Sequence, residues 1–173
     1  MAAGIGTAAQ VFQVWWADPT KLFILKKLKV QCTTLTGFAG TSAGVLLQLF
    51  VGHNATADGT GGTAVGLTGG RMRAAYAMTS FATAGEIRIS ATAALTAATG
   101  QVLEGQPIGG CMGPTQLTNT QSPEMFLFGQ HDSGDHPLVL AAGDALAILT
   151  LNPGATGTWI AVFTMGWLEA VAL

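Results

Sequence analysis

The chain is short of charge: Asp, Glu, Lys and Arg make up 9% of its 173 residues, against about 25% in an average soluble domain. Acidic and basic residues nearly cancel, leaving a formal net charge of -2. There is thus no basic footprint of the kind that holds nucleic acid. Two cysteines, Cys32 and Cys111, cannot make a disulfide framework, and nothing around them has zinc-ligand spacing. They read as buried thiols acting as small hydrophobes. A glycine loop followed by Lys-Ser or Lys-Thr, which would cradle a phosphate, is missing, as is a Gly-x-Ser-x-Gly nucleophile elbow. Coiled-coil heptads and internal repeats are absent as well. The first residues, MAAGIGTAAQVFQVWW, lack the positive start and unbroken apolar core of a signal peptide, so cytoplasmic synthesis is expected.

What the chain has is apolar residues (49%) and glycine (24 residues). Disordered chains are poor in the first and rich in charge, so this composition suits short strands joined by many turns. Few surface charges also favour self-assembly. Strands are predicted at Gln10 to Trp16, Leu22 to Thr36, Val45 to His53, Thr63 to Thr68, Glu86 to Leu95, Gln101 to Ile108 and Glu124 to Gly129. Asn54-Ala-Thr-Ala-Asp-Gly-Thr-Gly-Gly62 reads as an exposed connection, Gly109 to Gln121 as a polar one, and Arg71 to Ser80 as either strand or short helix. Such spacing predicts an all-β fold, an antiparallel β-sandwich or jelly roll. It divides into residues 1–18, an N-terminal arm or first strand, and a single domain over 19–173.

The stretch from His136 to Leu173 is predicted to be the element the rest packs around, with strands over Pro137 to Leu140, Asp144 to Leu151 and Thr158 to Glu169. Between Ala145 and Leu168 no residue is charged, but Asn152-Pro153-Gly154 interrupts the run, which argues for a hairpin over a membrane span. Alternation puts Trp159, Ala161, Phe163, Met165 and Trp167 on one face of the last strand and Ile160, Val162, Thr164 and Leu168 on the other. Both faces are apolar, which predicts burial on two sides, in the middle of a sandwich or against another subunit. Trp159, Phe163 and Trp167 are therefore interface candidates, together with the adjacent Trp15 and Trp16. On the Leu22 to Thr36 strand, Leu22, Ile24, Leu28, Val30 and Cys32 are assigned to one face, interrupted by Lys26. Lys21, Lys26, Lys27 and Lys29 form either a solvated face or protected edge or a patch for an acidic partner.

Candidate chemistry concentrates in His131-Asp132-Ser133-Gly134-Asp135-His136, with His53 as a possible third imidazole. These are suitable donors for a first-row metal. The two histidines are five apart in a turn-rich loop, however, where Asx-turns account for the aspartates. Contiguous His131, Asp132 and Ser133 do not make a hydrolase triad, whose members meet from separate segments. Glu86, Glu104, Glu124 and Glu169 are scattered, with no pair suited to glycoside hydrolysis. No catalytic residue, metal ligand or cofactor is assigned.

Four segments carry a resemblance. Asn54-Ala-Thr-Ala-Asp-Gly-Thr-Gly-Gly-Thr-Ala-Val, Glu86-Ile-Arg-Ile-Ser-Ala-Thr-Ala-Ala-Leu-Thr-Ala, Gly134-Asp-His-Pro-Leu-Val-Leu-Ala-Ala-Gly-Asp, and Gly157-Thr-Trp with Trp167-Leu-Glu resemble a family of small β-rich structural proteins of tailed bacteriophages. The resemblance implies a non-enzymatic virion component: a capsid decoration or cement protein whose trimers bind the outer surface of the major capsid protein. Independently of it, the low charge and the turn-broken uncharged run predict no nucleic-acid or membrane partner. Alternatives are a receptor- or glycan-binding module at a head fibre or tail tip, with loops Asn54 to Gly62 and Gly113 to Glu124 carrying recognition, and a cupin-like metalloenzyme using His53, His131 and His136.

Overall fold

The computed structural model describes residues 9–39, 44–65, 85–90, 93–115, 118–129, 136–151 and 156–172, which hold twelve strands and no helix. Two antiparallel sheets pack against each other, giving a β-sandwich. The first runs in the order β4 (Thr63–Ala64), β5 (Gly85–Ile89), β1 (Ala9–Trp16), β11 (Ala145–Leu151), β3 (Gly44–His53), β6 (Val102–Leu103), with β7 (Gly109–Thr115) also on β3. In the second, β2 (Lys21–Ala39) is central. One side of β2 pairs with β12 (Thr156–Val171), while β10 (Leu138–Leu140), β9 (Met125–Phe128) and β8 (Thr120–Gln121) follow one another along it.

Between the sheets, Val14 and Trp16 of β1, Phe23, Leu25, Leu28 and Val30 of β2, Leu47 and Leu49 of β3, and Leu146 and Ile148 of β11 have no exposed surface. Each such side chain contributes about 1.5–3 kcal/mol by leaving water. Aromatic rings bridge the layers, Phe12 to Phe163 at 4.9 Å and Trp16 to Phe23 at 5.6 Å between centroids. The Trp16 indole N–H donates to the Lys21 carbonyl at 2.8 Å.

Of the two readings of the N-terminal segment, arm or first strand, Ala9–Trp16 takes the second: it lies in mid-sheet, hydrogen-bonded to β5 on one side and β11 on the other. It is no detachable arm, and a truncation through Asp18 would cut the core open. The predicted hairpin between the last two strands is corrected too: β11 pairs with β1 and β3, and β12 with β2, so the chain crosses between sheets there. The uncharged run accordingly supplies β11 and β12. Gly109–Thr115, expected to be a connection, is a strand on β3. The strand-or-helix question at 71–80 lies outside the described residues.

Alternation along β2 also departs from the expected one. Phe23 and Leu25 face inward, as do Leu28, Val30, Cys32 and Thr34, so the inward parity changes between Leu25 and Leu28. The cause is a β-bulge: Gly166 of β12 pairs with Lys27 and Trp167 with Leu25, leaving Lys26 as an extra residue. An extra residue opposite one partner reverses which alternate positions face the core. Both lysines are exposed. Glycines flank the bulge. A Cβ at Gly166 would meet the Lys27 stem at 3.1 Å, and one at Gly129 (φ +71°) would collide with the Lys26 carbonyl. Because β2 spends 19 residues against the 16 of β12, the irregularities sit on β2 and β12 alternates cleanly.

Candidate functional site

On the outer side of the first sheet β1 is covered by the chain itself, while Met112 of β7 is exposed. Residues 54–62 fold back over β1 and exchange backbone hydrogen bonds with 96–99, including Thr96 N–H to Thr60 O at 3.0 Å and Thr56 N–H to Thr99 O at 2.8 Å. Ala55 N–H donates to Gly143 O at 2.9 Å, and the Trp15 indole N–H reaches Ala55 O at 3.4 Å. Gly59 lies so close to Gln13 that a Cβ would sit 2.6 Å from its Oε1. Gln13, on the outer side of β1, is therefore only 1% exposed. The segment predicted as an exposed connection is in part a cover.

No comparable cover lies on the outer face of the second sheet among the described residues. Leu35, Val139, Ile160, Val162 and Leu168 are exposed there, from 41% at Leu35 to 55% at Val162. Register aligns them. Ile24 pairs with Val139 of β10 and with Leu168 of β12, so the three form one apolar row across the sheet. Val162 lies opposite Gln31, and Ile160 opposite Thr33. Lys29 crosses the middle of the face, its Nζ 2.8 Å from Glu124 Oε2 and 4.5 Å from the Phe126 ring centre. Scattered apolar exposure is ordinary, whereas a contiguous apolar patch on a sheet marks an interaction surface.

The interface candidates divide accordingly. Trp16 and Trp159 are in the core, while Phe163 and Trp167 pack against it, half-buried. These aromatics turn inward because they occupy the core-facing alternate of β12 and β1. Trp15 lies half-buried under the 54–62 cover. Lys26 and Lys27 are exposed and Lys29 is half-buried. The residues that do present apolar surface, Ile160, Val162 and Leu168, are on the opposite alternate of β12. Its two-faced apolarity was the available signal.

The most developed ionisable cluster is at the end of the first sheet. His53 closes β3 and meets Asp144, at the start of β11, with Nδ1 at 2.7 Å from Oδ1. Its Nε2 lies 2.9 Å from Oε1 of Glu104, which follows β6. Asp144 Oδ2 also accepts the Ala141 N–H at 2.8 Å, holding the turn before β11. A neutral imidazole would point a lone pair at one carboxylate, so this geometry calls for the imidazolium. The Asp144 hydrogen bond raises the His53 pKa above its ordinary value; burial opposes it, and the Asp144 charge and then Glu104 add smaller upward contributions. With both nitrogens donating, the ring has no lone pair for a metal or a proton. The cluster ties three segments together.

His136 is exposed, and residues 131–135 lie outside the described residues. Among the described residues, no three His, Cys, Asp or Glu side chains are placed to hold a metal. Arg88 is bound by Glu86 at 2.9 Å and Asp58 at 3.4 Å, and Lys21 by Glu169 at 3.2 Å. These are ion pairs within one molecule, and they place no two carboxylates around an open cleft. Comparison with protein-family models, with curated proteins and with solved structures returned no match.

Proposed function

We propose that the chain is a non-enzymatic structural subunit that works by adhesion through the outer face of its second sheet. In the form suggested by the sequence resemblance, it is a decoration or cement protein of a tailed-phage capsid. It would bind the outside of the major capsid shell as a homo-oligomer, after synthesis in the host cytoplasm. One observation carries this reading: the chain covers β1 of the first sheet with its own 54–62 segment, yet leaves Val139, Ile24 and Leu168 in an apolar row across the second. A sandwich with one bare apolar face suits burial against a larger partner. The stabilising effect would be additive, since each copy buries surface across a joint between shell subunits.

The 54–62 segment offers less support to a loop-based receptor module, because Ala55 and Gly59 of that segment are buried. Immunogold labelling of virions with an antibody against the purified chain tests the location. Label distributed over the head supports decoration. Label confined to a tail tip or a single head fibre refutes it in favour of the receptor role, and absence of label from particles refutes both.

A further inference from the structure

We propose that two copies of this chain pair edge to edge through β12, antiparallel about a two-fold axis at Val162, so that their second sheets join into one. The inference does not depend on the capsid role. Among the described strands, β12 ends its sheet, pairing with β2 alone. Sheet edges in monomers are usually short, charged, bulged or blocked by proline. The others here follow that rule: β4, β6 and β8 have two residues each, β10 three and β9 four, and the seven-residue β7 carries Pro114 and a register shift against β3. β12 runs for 16 residues, with no charge and no proline from Thr156 to Leu168.

Val162 is the midpoint of that uncharged run. An antiparallel two-fold there sets Val162 opposite its own copy, Ile160 opposite Thr164, Thr158 opposite Gly166 and Thr156 opposite Leu168. The side chains exposed on the outer face, Ile160 and Val162 of both copies, then cluster at the axis. Glu169, already held by Lys21, falls outside the paired run. Lys27 lies beside Gly166, four residues from Val162, so the two copies' lysines stand roughly 25 Å apart at about 3.3 Å per residue, well beyond the ~8–10 Å over which salt screens charge. The run from 156 to 168 spans about 43 Å, and a strip ~10 Å deep gives roughly 900 Å² for the pair. That is close to the ~1,000 Å² expected of a specific interface. A two-fold contact yields a dimer, in place of the trimer that the resemblance implies.

The test joins sedimentation velocity on the intact chain with a cysteine scan. Residues opposite one another in an antiparallel pair have Cα atoms about 4.5–5.5 Å apart, within the ~4.4–6.8 Å span of a disulfide. Val162→Cys should therefore cross-link to its own copy with oxidised glutathione, the two thiols yielding two protons and two electrons to the oxidant. Leu168→Cys, whose copies would stand ~40 Å apart, should not. The wild type controls for Cys32 and Cys111. The expected result is a concentration-dependent dimer, at least ten times more cross-linked dimer with Val162→Cys than with Leu168→Cys, and at least tenfold weaker association with Val162→Lys, each variant folded by far-UV circular dichroism. A monomer or a trimer at all concentrations overturns the proposal, as does equal cross-linking of the two cysteines. So does a monomer whose β12 amides resist hydrogen exchange at every dilution, since the edge would then be covered from within the chain.

Discussion

The bulge at Lys26 and Lys27 makes a counterintuitive demand on deletions in β2. Removing Lys26 leaves Phe23, Leu25, Leu28 and Val30 at strict alternate positions, all inward, with Lys27 still opposite Gly166 and Leu25 still opposite Trp167. The strand becomes regular and keeps its core face. Removing Lys29 has no bulge to absorb it: Val30, Cys32 and Thr34, all without exposed surface, would turn outward and polar Gln31 and Thr33 inward. Losing the burial of Val30 and Cys32 alone costs on the order of 3–5 kcal/mol, a large part of the 5–15 kcal/mol that holds a typical domain folded. The Lys26 deletion draws the β10 and β9 pairings one residue closer and is expected to cost about 1–2 kcal/mol, an ordinary single-site effect. Urea unfolding followed by tryptophan fluorescence measures both. Equal destabilisation by the two deletions, or greater loss from deleting Lys26, would refute the assignment of the bulge and with it the inward set of β2.

Four further outcomes are expected. Folding raises the His53 pKa, so the stabilisation from its ion bridge is complete below the unfolded value of about 6.5 and is lost as pH rises through the higher folded value. Unfolding free energies from urea titrations at pH 5.5 to 8.5 should fall more in the wild type than in His53→Gln, by less than about 1 kcal/mol for so exposed a group, and parallel curves would contradict the bridge. Burial pushes the Cys32 thiol up to about 12, with a smaller contribution from Cys111, and Cys111 to about 11; mass spectrometry after iodoacetamide at pH 8 should find both intact in native protein and both alkylated in urea. Trp16→Phe gives up the indole bond to Lys21 and should cost about 1–2 kcal/mol in urea unfolding, with no change in m-value. Deletion of residues 1–18 removes a strand paired on both edges, and the product should show no cooperative unfolding; a truncated chain that melts cooperatively would return the segment to the status of an arm.

Alternation was legible where the ladder was regular. On β12 the residues Trp159, Ala161, Phe163, Met165 and Trp167 share one face, as alternation predicts, because the extra residues of the β2–β12 pair fall on β2; that this face is the core, and the other exposed, only the structure shows. On β2 the same logic misplaced Leu22 and Ile24, although the doublet Lys26-Lys27 marked where the alternation broke. Turn chemistry located the ends of β10, β11 and β12 but not their partners, since a tight turn reads alike whether the chain folds back beside itself or crosses to the facing sheet. Burial of both sides of β1 depends on the 54–62 segment, which meets Gln13 and Trp15 only through tertiary folding. The His53 cluster was equally out of reach: its partners lie 91 residues away at Asp144 and at Glu104, with no spacing rule to join them. His131 and His136, adjacent to aspartates, drew attention as a local pattern. Among the described residues, the ring clasped between carboxylates is His53.

The most direct test of the adhesive face compares two surface charges on opposite sides of the sandwich. Val162→Lys alters the bare outer face of the second sheet, and Thr60→Lys alters the exposed surface of the 54–62 cover on the first. Each purified variant would be added to capsid shells stripped of the endogenous protein and recovered by sedimentation. Adhesion through the second sheet requires Thr60→Lys to bind as the wild type does and Val162→Lys to lose at least nine-tenths of its binding. Full binding by Val162→Lys, with loss in Thr60→Lys, would contradict it.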